Sequence, residues 1–156
     1  MVFVGILIVA AAFGLAVWAE VPVEQKLGVT FSSKHAWELG LDTRETFTAL
    51  LDDIGVRRFR IPVYWSDVEP TQGEFRWDEV DWMMGEAEKR GAAVTLAIGA
   101  KVPRWPECFA PDWAEGGEAP AQHAALEAFL ETVVARYRNS PALARWQVEN
   151  EPLFDF

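Results

Sequence analysis

The chain has 156 residues, 51% of them hydrophobic and 24% charged, which fits one folded unit and excludes a disordered or low-complexity protein. Its formal charge is −10 at pH 7; without a basic patch to neutralise phosphates, a nucleic-acid partner is excluded. The single cysteine, Cys108, excludes a disulfide framework and a cysteine-based metal site.

Residues 1–19 carry no charged side chain and are followed by Glu20, Pro22 and Glu24. This segment reads as a signal peptide or a membrane anchor. Val17-Trp18-Ala19 offers modest residues for a signal peptidase, and the run also approaches the length that spans a bilayer. Neither reading has the Lys or Arg expected at the leading end. A secreted or membrane-anchored, extracytoplasmic location is the expectation, with the folded domain covering 26–156.

Lys26 to Phe31 is a short β-prone run ending at Ser32 and Ser33, read as the first strand. Asp42, three residues before Glu45, has the form of a helix cap, and Phe47, Leu50, Leu51 and Ile54 follow at helical spacing up to Gly55. Val56 to Val63 is the second strand, which Pro62 keeps from running much further. Asp78 opens a second helix along Val80, Met83, Met84 and Ala87, and Gly91 stops it. Ala92 to Ile98 is almost continuously apolar, as a parallel strand covered on both faces requires. After a long loop, Leu126, Phe129, Leu130, Val133 and Tyr137 line a third helix, broken by Asn139-Ser140-Pro141. Ala144 to Val148 is the fourth strand.

The resulting order, β-α-β-α-β-α-β, has tight αβ turns and long connections after each strand. That asymmetry suits a (β/α)8 TIM barrel better than an open doubly wound sheet, and no Gly-rich phosphate loop follows the first strand. A complete barrel needs roughly 250 residues, so the expectation is an α/β fold comprising the N-terminal half of such a barrel, strands 1–4.

Glu151 falls just past the fourth strand, where barrels place catalytic groups and where a carboxylic acid can protonate a leaving oxygen. An exposed turn glutamate before Pro152 is the plainer alternative. His35 and His123 lack ligand-pair spacing, so no metal is expected, and no cofactor either. Trp37 and Trp65 are candidates to line the mouth, with His35 and Lys101 as hydroxyl donors.

Trp146 to Pro152, ending in Asn150-Glu151-Pro152, resembles the fourth-strand signature of the retaining (β/α)8 glycoside hydrolase clan, which includes cellulase-like and β-galactosidase-like families. Arg58 to Trp65, continuing through Val68-Glu69-Pro70, Gly73-Glu74-Phe75 and Trp77-Asp78, is similar to that clan's second strand and following loop. The resemblance implies that Glu151 is the general acid/base and that Asn150 hydrogen-bonds the sugar 2-hydroxyl. It also implies that Arg60 lies beneath a nucleophile supplied by a later strand, outside this sequence. Val102-Pro103-Arg104-Trp105-Pro106 resembles the Pro-x-Trp element of the β-galactosidase-like members, which makes Trp105 a sugar-stacking candidate. Glu149 departs from the clan pattern, and is expected to tune Glu151 or to bind substrate.

The implied activity is hydrolysis of O-glycosidic bonds in β-linked oligo- or polysaccharides by a retaining two-carboxylate mechanism. The isolated half barrel is expected to be inactive. The alternative is a non-catalytic carbohydrate-binding or structural half barrel.

Overall fold

Each of the first three strands of the sheet is followed, before the next strand, by a segment whose apolar spacing demands a helix, and the elements follow from that alternation. The computed structural model describes residues 27–115 and 118–152. The expected leader, 1–19, and Lys26 lie outside the described residues. Among those described, no helix is long and apolar enough to cross a membrane.

Strand β1 is Val29–Thr30. It is shorter than the sequence suggests because Ser32 accepts the His35 N–H at 3.0 Å and caps a helix, α1 (Ser33–Glu38). Six residues carry too little periodicity for this helix to be visible in the sequence. Asp42 caps α2 (Thr43–Asp52), accepting the Glu45 N–H at 2.8 Å as expected of a residue at that position. Strand β2 is Arg58–Pro62, followed by the short α3 (Trp65–Val68) and by α4 (Asp78–Lys89). Gly91 lies just past α4 at φ +62°, a backbone state that a residue with a Cβ resists. Strand β3 is Ala93–Ile98; α5 (Asp112–Glu115) and α6 (Ala119–Tyr137) precede β4 (Leu143–Val148).

The four strands are parallel in the order β1-β2-β3-β4, with Arg60 opposite Thr95 and Ala97 opposite Gln147. Successive residues of a strand face opposite sides. Phe59, Ile61, Val94, Leu96 and Ile98 are buried in one core with Phe47, Leu51, Val80, Met83, Met84, Phe129, Val133 and Tyr137 of the helices. The alternate positions of β2 and β4 carry Arg58, Arg60, Arg145 and Gln147, so the polar residues share the face that lines a barrel's interior. Between helices, Asp81 of α4 accepts from Arg136 Nε at 2.8 Å and from the Tyr137 hydroxyl at 2.7 Å, both at the end of α6. The architecture is α/β, a four-stranded part of a TIM barrel.

Candidate active site

The C-terminal ends of β2, β3 and β4 meet through side chains from each. Arg60, on the inner face of β2, reaches across β3 to β4. Its Nε donates to Gln147 Oε1 at 2.7 Å and its Nη2 to Asn150 Oδ1 at 2.6 Å. Burial lowers the Arg60 pKa, and the Glu107 and Glu151 carboxylates oppose that shift. A guanidinium stays protonated under ordinary conditions, so Arg60 is a fixed cation facing two carboxylates.

Asn150 is 8% exposed and held at both ends of its amide. Its Oδ1 accepts from Arg60, with Gln147 Nε2 3.4 Å away, and its Nδ2 donates to Glu107 Oε1 at 3.0 Å. Arginine can only donate and a carboxylate can only accept, so chemistry settles which end of the amide is oxygen. One Nδ2 hydrogen remains for a ligand. Glu151 follows at the exposed lip, at φ +48°, and its carbonyl accepts from Lys101 Nζ at 3.2 Å.

Glu149 turns its carboxylate back toward the sheet. Oε1 accepts the Ala100 N–H at 2.9 Å and Oε2 the Lys101 N–H at 2.7 Å. Its own N–H donates to Ile98 O at 2.9 Å, and the Asn150 N–H to Lys101 O at 2.7 Å. The exit of β4 is thereby stitched to the exit of β3. The carboxylate fits only because residue 99 is glycine, at φ +140°: a Cβ there would lie 2.4 Å from Glu149 Oε1. Glu149 thus positions the turn that carries Asn150 and Glu151, and both its oxygens are taken by backbone.

Trp105 is 72% exposed at the tip of the loop after β3. That loop is closed by Val102 N–H to Glu107 O at 2.9 Å and Phe109 N–H to Ala100 O at 2.7 Å. The Tyr64 hydroxyl donates to Pro103 O at 3.3 Å, so Ser32 Oγ, 2.7 Å away, donates to Tyr64. Burial pushes the Tyr64 pKa up to about 12, which keeps that donor intact at neutral pH. Arg104 pairs with Glu38 of α1. The first three loops are cross-tied.

Trp65 is not at this mouth. It is 2% exposed, stacks on Phe129 with ring centroids 5.1 Å apart, and donates its Nε1–H to Glu69 Oε2 at 2.8 Å. A large indole next to the apolar face of α6 gains more from burial than from exposure. Trp37 is exposed and lines a cavity of about 280 Å³ with Ser33, Lys34, Thr43, Asp67 and Glu79. That cavity shares no lining residue with the Arg60–Asn150 group. His35 Nδ1 lies 3.5 Å from Glu38 Oε2. Among the described residues, no group of three or more His, Cys, Asp or Glu side chains is placed to hold a metal ion.

Sequence reasoning misses Gln147 and Glu107. The first has a signal, the polar alternation of Arg145 and Gln147 along one face of β4. The second has none, because it reaches Asn150 from a loop 43 positions away.

The fold, and the Asn-Glu pair presented where its fourth strand ends, place the chain among the (β/α)8-barrel glycosidases. Residues 59–155 match the model of glycosyl hydrolase family 10, and the chain belongs to that family. Comparison with curated proteins finds no match. Among solved structures it is similar to the exo-β-1,4-mannosidase Op5Man5 from Opitutaceae bacterium strain TAV5, at 17% identity and TM-score 0.64, covering 80% of this chain and 24% of that one. A GH5_18 protein from Bifidobacterium longum matches at 20% identity and TM-score 0.61, covering 81% and 34% of the two chains. The β-galactosidase from the psychrophilic Marinomonas ef1 matches at 21% identity and TM-score 0.57, covering 82% and 22%. These likenesses establish the barrel fold. The chain spans between about a fifth and a third of the length of those structures.

Proposed function

We propose that this chain carries the acid/base half of a retaining glycoside hydrolase acting on β-linked oligo- or polysaccharides. The observation that carries the reading is the Arg60–Asn150 hydrogen bond, which ties the Asn-Glu pair to a half-buried cation.

Glu151 protonates the glycosidic oxygen as the C–O bond breaks, and the resulting carboxylate then takes a proton from the water that releases the covalent glycosyl intermediate. Asn150 donates its remaining Nδ2 hydrogen to the sugar 2-hydroxyl, a contact that strengthens as positive charge develops on the ring. Trp105 offers a flat apolar face to a pyranose. Neither Glu149 nor Glu107 suits the nucleophile's role: Glu149 has both oxygens on backbone amides, and Glu107 has one on Asn150. A later barrel strand is the expected source of that carboxylate. An extracytoplasmic site of action rests on the uncharged leader alone.

The test is Glu151→Gln in the full-length protein, assayed on β-glycosides with poor and with activated leaving groups. Turnover of the poor leaving groups should fall by about 10²- to 10⁴-fold, the usual worth of a positioned proton donor. Activated substrates should keep their first step and be rescued by azide. Undiminished turnover of poor leaving groups refutes the role; sugar binding without any turnover by the wild type marks a non-catalytic protein.

A further inference from the structure

The mouth contains a charged group that the proposed reaction does not use. Glu107 sits at φ +72°, its N–H donating to Arg104 O at 2.6 Å and its carbonyl accepting from Val102. Its side chain turns to Asn150. Oε1 accepts from Nδ2, while Oε2 is buried and has no hydrogen-bond partner among the described residues. A half-buried carboxylate with one oxygen enclosed and unpaired is costly to keep. Its retention therefore calls for a compensating role, and the group it touches is the candidate 2-hydroxyl ligand.

We propose that Glu107 is a positioning residue for the cleavage assigned to Glu151, gripping the Asn150 amide from the side opposite Arg60 so that one N–H stays aimed at the substrate hydroxyl. The inference rests on the reading of Asn150 and Glu151 given above. Two contacts on opposite ends of one carboxamide remove its freedom to rotate, and a donor fixed in advance needs no reorganisation as charge develops. Arg60 alone anchors only Oδ1. With Glu107 gone, the amide is held only at Oδ1, by Arg60 and the longer Gln147 contact, and Nδ2 loses its anchor. The same loop carries Trp105 two residues earlier, so Glu107 also joins the stacking platform to the hydroxyl ligand through one short piece of backbone.

The experiment is a comparison of a β-glycoside and its 2-deoxy counterpart, using the full-length protein. Glu107→Leu should lower kcat/KM on the parent sugar by about tenfold to a hundredfold, mostly through kcat, because a contact made in the transition state is lost. On the 2-deoxy sugar, which lacks the hydroxyl that Asn150 meets, the loss should shrink to about threefold or less. Combined with Asn150→Ala, Glu107→Leu should add little further loss. Glu107→Gln keeps an acceptor at the Oε1 position and should recover most of the activity. If Glu107→Leu does not fold, Glu107→Asp, too short to reach Nδ2, should show the same dependence on the 2-hydroxyl. Equal losses on both sugars, or additive losses with Asn150→Ala, overturn the proposal. Glu151→Gln, run alongside, separates the two readings: its loss of turnover together with additive Glu107 and Asn150 effects defeats only the positioning role, whereas full activity in Glu151→Gln defeats the site itself.

Discussion

Replacing Gly99 with alanine should disrupt the turn that carries Asn150 and Glu151. The new Cβ would stand 2.4 Å from Glu149 Oε1, 2.6 Å from its Cδ and 3.0 Å from Oε2. Clearing those contacts takes a carboxylate displacement of about 1 Å, since carbon and oxygen pack comfortably near 3.5 Å. That movement pulls both oxygens from the Ala100 and Lys101 amides, now at 2.9 and 2.7 Å. Hydrogen bonds to a charged group are worth about 1.5–3 kcal/mol each, and a side chain at φ +140° adds strain of about 1–3 kcal/mol. Gly99→Ala should therefore destabilise the full-length protein by about 4 kcal/mol or more, read from urea unfolding. Glu149→Ala alone should cost about 3 kcal/mol, the two lost bonds. In the double variant the clash has vanished and those bonds are lost only once, so the cycle should show a coupling of about 3 kcal/mol. Losses that add, or a Gly99→Ala variant within about 1 kcal/mol of wild type, would refute the clamp, because surface changes fall in that range.

Glu69→Ala should lower the melting temperature markedly, since Glu69 accepts from the buried Trp65 Nε1–H and from the exposed Gly73 N–H, each at 2.8 Å; orphaning the buried indole N–H costs about 1–3 kcal/mol, and an unchanged melt would contradict this. Trp105→Ala should leave stability within about 0.5 kcal/mol, because the ring is exposed, yet weaken oligosaccharide binding about tenfold by calorimetry. Asp81 has its pKa held down chiefly by the Arg136 hydrogen bond, against the raising effect of burial and with help from Tyr137. A carboxylate with a depressed folded-state pKa stabilises the fold above its unfolded value of about 3.9, and that stability disappears as pH falls through the lower folded value. Asp81→Asn should thus flatten the acid limb of a stability–pH curve; an unaltered limb would show the pair to be inert.

Periodicity reports burial, and it succeeded where burial is regular. Val80, Met83, Met84 and Ala87 are all in the core, as are Phe129, Val133 and Tyr137. The Asp42 cap and the strand order follow from the same kind of local rule. The hydrogen bond that joins Arg60 to Asn150 spans two strands, and no local pattern announces it. Lone residues fared differently. Trp65 has no spacing partner to reveal that it stacks on Phe129, and Glu107 meets Asn150 through a loop whose path no local pattern encodes. Glu149, expected to tune Glu151 or to bind substrate, instead spends both oxygens on the Ala100 and Lys101 amides, because its own φ of +59° ends the strand's alternation.

The ties among the first three loops restrict how this barrel can diversify. Ser32, Tyr64 and Pro103 share one hydroxyl, and Arg104 reaches Glu38, so the rim behaves as a single woven band and not as separate ribbons. Swapping the Trp105 loop for one of another specificity would cut threads that belong to its two neighbours. Evolution or engineering that reshapes any one of these three loops has to exchange them as a set.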